Sequence, residues 1–202
     1  MTQAYEVPAA ETEAELVVKK SRFIARVCLV SNRAQAMEQL QKLQAEHPQA
    51  RHICWAYLLG SAASSSAAMN DDGEPSGTAG RPILNVIQHK KLSDTLVMVV
   101  RYFGGIKLGA GGLTRAYSGA TEAALARCPR KLYQPLFECE LALAFAQEAA
   151  LRRWLERHQG QLLSLDYGAQ VVVRIELPEA LRPALMDYVA SSGFGLREIV
   201  SE

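Results

Sequence analysis

Three basic residues, Arg101, Lys107 and Arg115, are spread through the glycine-rich run VRYFGGIKLGAGGLTRAYSGA at positions 100–120. Gly104, Gly105, Gly109, Gly111 and Gly112 fall within nine positions of it. Glycine is costly to order, so such density points to positive φ angles or to a close approach by another backbone or a ligand. The run reads as a strand, a loop and the first turns of a helix, with Arg101, Lys107 and Arg115 on each in turn. Amides at a helix start lack intrahelical partners and carry partial positive charge. Together with the cations they suit a phosphate, and Arg81, Lys90 and Lys91 could extend the patch. Phosphate contacts of this kind give affinity rather than base reading. The run is not a P-loop, since GxxxxGK[ST] is absent, and no GxGxxG stands in register after a strand. The competing reading is tight helix–strand packing through glycine, with the charges solvated or paired to Asp71, Asp72 and Glu74.

Those acids belong to NDDGEPSGTAG, positions 70–80. Asp71, Asp72 and Glu74 could hold Mg²⁺ together with substrate phosphates, with the Thr78 hydroxyl in the same cleft. Against this, Asp72-Gly73 is ordinary turn chemistry and Glu74 can pair with a nearby arginine. In a third arrangement the acidic loop folds over the basic one and sets its shape by ion pairing. His52 and Cys54, at i and i+2, share one side of a strand, and a Cys/His pair can be nucleophilic. Alternation with Ala56 and the apolar flanks Ile53 and Trp55 favour a core face instead, so no catalytic residue is assigned. His89, beside Lys90 and Lys91, reads as surface. Tyr102, Phe103 and Tyr117 lie near the basic residues and could stack bases. The strand position of Phe103 places that ring in the core.

The elements that must position these residues follow from periodicity. Leu16–Val18 and Arg22–Val30 read as a hairpin turning at Lys19–Ser21. Asn32 caps a helix to Glu46, and Pro48 ends it. His52–Leu59 is a strand, 60–80 a long loop, and Pro82 opens a second helix. Thr95–Phe103 is a central strand and Ala110–Arg127 a third helix. Cys128–Pro135 reads as the boundary between a domain at 1–131 and another at 137–202. The second has strands at 137–145, 161–167, 169–177 and 196–200 and helices at 146–158 and 178–191. That order is β-α-β-β-α-β, the ferredoxin-like arrangement. The fold class is α+β in two domains, and the second domain offers no comparable site.

The chain has 202 residues, 49% hydrophobic and 21% charged, with a formal net charge of +1. No global basic field marks it as a nucleic-acid binder, so any such site is a local patch. Cys28, Cys54, Cys128 and Cys139 form no CxxC, which removes zinc spacing and suits reduced thiols in the cytoplasm. No apolar run approaches the roughly 18 residues of a membrane span, and no signal-peptide core is present.

KKSRFIA at 19–25, ARHICWAY at 50–57, DDGEPSGTAGRPIL at 71–84 and VRYFGGIKLGAGGLTRAYSGA at 100–120 resemble the IMPACT family in its short bacterial form. The resemblance implies an N-terminal domain like the second domain of ribosomal protein S5 and a ferredoxin-like C-terminal domain. That pair is similar to the last two domains of elongation factor G. It also implies a translation regulator with ribosome or RNA as partner. The RWD domain through which eukaryotic relatives act on a kinase pathway has no room here, so that role does not carry over.

Three functions stand open on the residues. One is a non-enzymatic, translation-associated protein that contacts RNA or another phosphate-bearing partner through the Gly-rich loop. The second is a metal-assisted hydrolase or transferase acting on a nucleotide or phosphorylated small molecule, the case in which magnesium would be a cofactor. The third is a protein-interaction module without catalysis.

Overall fold

A computed structural model of the chain describes residues 4–61 and 65–198, which divide into two compact units, one spanning Tyr5–Tyr133 and one beginning at Gln134. In the first unit, β1 (Tyr5–Pro8) is followed by β2 (Thr12–Val18), β3 (Ser21–Leu29), α1 (Arg33–Glu46), β4 (His52–Leu59) and β5 (Ser66–Asn70). Then come α2 (Gly80–His89), β6 (Thr95–Tyr102), α3 (Ala110–Arg127) and β7 (Arg130–Tyr133). Five strands form an antiparallel sheet in the order β2-β3-β6-β4-β5. Central β6 is buried from Thr95 to Arg101, so both of its faces are covered. Val97 and Val99 pack with Ile83, Ile87, Tyr117 and Ala120 of α2 and α3. Leu96, Met98 and Val100 point the other way, against Ala36 and Leu43 of α1. α1 starts where expected, with Asn32 accepting a hydrogen bond from the Gln35 amide at 2.9 Å. Such a cap satisfies one of the orphan donors of the first turn.

Two segments differ from expectation. β5 lies inside the stretch read as a long loop, because small residues of 66–70 add an edge strand to β4. The presumed linker contains β7, which pairs antiparallel with β1 from Tyr5↔Tyr133 to Pro8↔Arg130. Strands of four residues whose partner lies more than 120 positions away leave no periodic signal in sequence.

The second unit runs β8 (Leu136–Leu143), α4 (Glu148–Arg157), β9 (Gln161–Tyr167), β10 (Val171–Pro178), α5 (Arg182–Ser192) and β11 (Gly195–Glu198). Its sheet order is β11-β8-β10-β9, antiparallel throughout, which is ferredoxin-like topology. Phe137, Cys139, Leu141 and Leu143 alternate inward on β8 and pack with Leu151, Leu155 and Leu185 of the two helices. The opposite face carries Glu138, Glu140, Arg174 and Glu176, with Arg174 bonded to Glu138. Val200, placed in the last strand by the sequence reading, lies outside the described residues.

Candidate functional site

The strand register brings the chemistry to one end of the first sheet. Arg101 on β6 lies directly opposite Phe23 on β3 and His52 on β4, so three side chains stand abreast on the α2/α3 face. At this level β6 runs out and the chain turns through Phe103–Leu108 into α3.

Beneath this row sits a buried polar chain. Arg101 Nη1 donates to Glu74 Oε1, and their side chains are 8% and 4% exposed. Tyr117 donates its hydroxyl proton to the same oxygen at 2.8 Å. Cys54 Sγ lies 2.9 Å from the Asp71 carbonyl and 3.3 Å from the Tyr117 hydroxyl, either of which can accept its S–H. Burial pushes the Cys54 thiol up to about 12 and raises the Tyr117 hydroxyl as well, so both groups remain protonated donors. The Arg101 guanidinium is held between rings, 5.5 Å from Phe23 and 5.6 Å from Phe103.

The acidic loop is organised from within. Asp71 accepts from the amides of Gly77, Ala79 and Gly80 at 2.8–3.0 Å and so caps α2 from nine residues upstream. Burial alone would raise its carboxyl, but the three amides together hold it below the ordinary aspartate value. Asp72, with φ of 42°, accepts from the Ile53 amide at 2.6 Å. Thr78 is buried and donates to the Pro75 carbonyl of its own loop. Among the described residues no three His, Cys, Asp or Glu side chains gather as a metal-ion set. The loop's three carboxylates are taken by backbone amides, Arg101 and Tyr117.

The Gly-rich loop is fixed by two glycines above all. A Cβ on Gly104 would stand 2.0 Å from the Lys20 carbonyl carbon, and its amide donates to Ser21 Oγ, so the loop is seated on the β2–β3 turn. Gly109, the residue before α3, has φ 71° and ψ 167°, a region closed to residues with a Cβ. It offers no side-chain cap to the α3 amides.

A cleft of about 380 Å³ opens between these parts, lined by Arg51, His52, Glu74, Arg101, Phe103, Lys107 and the start of α3 at Gly109–Ala110. His52 Nδ1 is 2.7 Å from the Asp72 carbonyl. A carbonyl only accepts, so Nδ1 carries a proton in this contact. A smaller depression on the other side of Leu108 is lined by Lys19, Gly112 and Arg115. Lys107 and Arg115 therefore flank the Gly-rich loop on two sides rather than converging. Gly105 and Gly111 are exposed on the same loop and helix start. Arg101 forms the cleft wall, already neutralised by Glu74. Lys90 and Lys91 precede β6, at the opposite end of the strand from the loop, a distance of roughly 25 Å at about 3.4 Å per residue. Arg81 is exposed on the first turn of α2.

Phe103 is not core: it is 50% exposed at the cleft mouth, and Tyr117 is the ring that is buried. Tyr102 turns to the α1 side, where its hydroxyl meets His47 Nδ1 at 2.9 Å. Sequence reasoning missed Arg51, Lys19 and Lys20, which are exposed around the loop and make no ion pair among the described residues. The signal was present in Lys19-Lys20 at a hairpin turn and in Arg51 beside the strand bearing His52.

Residues 19–125 match the Impact N-terminal domain, and residues 141–191 match a domain of unknown function, DUF1949. IMPACT family member YigZ of Escherichia coli K12 is 36% identical, over 88% of this chain and 88% of its own length. The chain belongs to the IMPACT family. The IMPACT family member of Haemophilus influenzae is 35% identical over 87% of this chain and 85% of its own. YvyE of Bacillus subtilis reaches 47% over 62% of this chain and 57% of its own. A crystal structure described as that of a hypothetical protein superposes over all of both chains with a TM-score of 0.71 at 33% identity. In this IMPACT protein the matched N-terminal domain contains every residue of the cleft. No helix among the described residues is long and apolar enough to cross a membrane.

Proposed function

We propose that this IMPACT protein is a cytoplasmic translation regulator that binds RNA of the translation machinery, a phosphate-bearing partner, through the Gly-rich end of its first unit. One observation carries the reading. Arg51, Lys107, Lys19, Lys20 and Arg115 surround the 104–112 loop as exposed cations, while the nearby carboxylates are occupied internally. The uncapped amides at Gly109–Gly112 add partial positive charge between them. Phosphates would be held by Lys107 and Arg51 on one side and by Arg115 and Lys19 on the other. Arg101 keeps its place as the buried wall that shapes the cleft. Magnesium has no part in this reading, in which Asp71 is held by three amides, Asp72 Oδ2 by the Ile53 amide, and Glu74 Oε1 by Arg101 and Tyr117. The second unit is a weaker RNA surface, since on the open face of β8 and β10 three glutamates stand against Arg174.

Filter binding of ribosomal RNA across a salt titration tests the reading. Neutralising Z phosphates gives a slope of log K against log salt of about −0.7Z for single strands. The expected slope for the intact protein corresponds to about four contacts, and Lys107→Ala with Arg115→Ala removes about two of them. A binding constant that does not respond to salt would reject it.

A further inference from the structure

Two depressions adjoin at the end of the first sheet. The cleft already described shares Arg51, Arg101 and Phe103 with a second hollow of about 440 Å³ that reaches Gln49 and Tyr102. Phe103 stands between them, and half of its surface is open. A lone exposed ring is ordinary. This one differs in its support and its neighbours. Arg101 lies against the ring at 5.6 Å and is itself fixed by Glu74, so the ring is backed by a cation whose position is set by the fold. Arg51 is exposed beside both hollows and Lys107 beside the first. An open aromatic face with free cations on its flanks matches a flat, weakly polar ring joined to an anion. That is the chemistry of one nucleotide unit.

Resting on the phosphate-binding reading above, we infer that this groove takes single-stranded RNA, with a base stacked on Phe103 and adjacent phosphates on Arg51 and Lys107. Duplex RNA keeps its bases stacked on one another and presents only phosphate and sugar edges. An unpaired base can leave that stack for a protein ring. Stacking tolerates any base, so the site ranks strands by their pairing state and only weakly by sequence. The Gly104–Lys20 contact fixes the loop that carries Phe103, which holds the platform in place before RNA arrives.

The test is fluorescence anisotropy on the full chain with an unstructured oligouridine 12-mer and a blunt RNA duplex of equal length. The intact protein is expected to bind the single strand at least tenfold more tightly. Phe103→Ala is expected to lose about tenfold on the single strand with an unchanged salt slope, as removal of one stacked base does. Phe103→Trp is expected to retain affinity, and its added emission to be quenched by the 12-mer. Arg51→Ala with Lys107→Ala is expected to flatten the salt slope by about 1.4, two phosphates on a single strand. Equal affinity of Phe103→Ala and the parent, or equal binding of duplex and single strand, overturns this inference and leaves the phosphate reading standing. No salt-dependent binding to either RNA overturns both. Binding only to ribosomal protein, insensitive to ribonuclease, replaces the occupant and also overturns it.

Discussion

Glu74 and Arg101 show how a residue pair can look like part of a binding site and serve instead as its frame. Both are buried, and each neutralises the other. Removing one partner leaves an uncompensated charge, which costs about 3–5 kcal/mol in comparable sites. Arg101→Ala is therefore expected to lower unfolding free energy by that order in urea melts, whereas Lys107→Ala should leave it within about 0.5 kcal/mol. Equal stability of the two variants would put Arg101 among the free cations after all. Asp71 makes a prediction in pH. Its carboxyl is held low in the folded state, so its stabilising contribution is complete above the unfolded aspartate pKa of about 3.9 and is lost as pH falls through the folded value. Asp71→Asn should be less stable at neutral pH and should show a shallower acid limb. An unchanged acid limb in pH-dependent melts would contradict the three-amide account. Cys54 and Cys28 are both raised to about 12 by burial, so neither should react with a thiol reagent at pH 8 until the protein unfolds. Rapid native labelling would show that these segments open.

At the scale of elements, the β2–β3 turn is strained where it meets the Gly-rich loop. Lys19 and Lys20 have φ of 45° and 65°, both in the left-handed region. A two-residue hairpin with both angles positive ordinarily takes Asn-Gly, and each bulkier residue costs roughly 1–2 kcal/mol there. Lysine at both positions is a local sacrifice of stability that sets two cations beside Gly104. Lys19→Asn with Lys20→Gly is accordingly expected to raise stability by about 1–2 kcal/mol and to weaken RNA binding. A variant that is both more stable and equally tight would assign the lysines no role. The elements were largely legible. α1 carried its Asn32 cap, β4 its eight-residue run, and the β-α-β-β-α-β order of the second unit gave its topology. What stayed hidden had no local signal. β1 and β7 pair with each other across more than 120 positions, and β5 is an exposed edge strand whose residues match loop composition. The strand pattern that assigned Phe103 to the core fails because β6 ends one residue earlier, where no neighbouring strand covers the ring.

Across the whole molecule, the two units differ in what they offer a partner. The first concentrates unpaired cations, exposed aromatic surface and free helix amides at one end of its sheet. The second buries one face of its sheet under two helices and leaves an acidic face open. A formal net charge of +1 hides this division, because the cations of one end are cancelled by acids elsewhere. The residue types at the Gly-rich loop could be read from sequence. Which of them remain free could not, since that depends on Asp71, Asp72 and Glu74 finding partners within the fold.

If the loop's free cations hold ribosomal RNA, the protein sediments with ribosomes in a salt-dependent way. The direct measurement is co-sedimentation with purified ribosomes from about 50 to 200 mM salt, comparing the intact protein with an Arg51→Ala, Lys107→Ala, Arg115→Ala variant that leaves the Arg101–Glu74 pair untouched. Saturable binding is expected that weakens at least tenfold across that range and that the variant loses while melting at the same temperature. Undiminished binding by the folded variant, or no binding by the intact protein at the lowest salt, would contradict it.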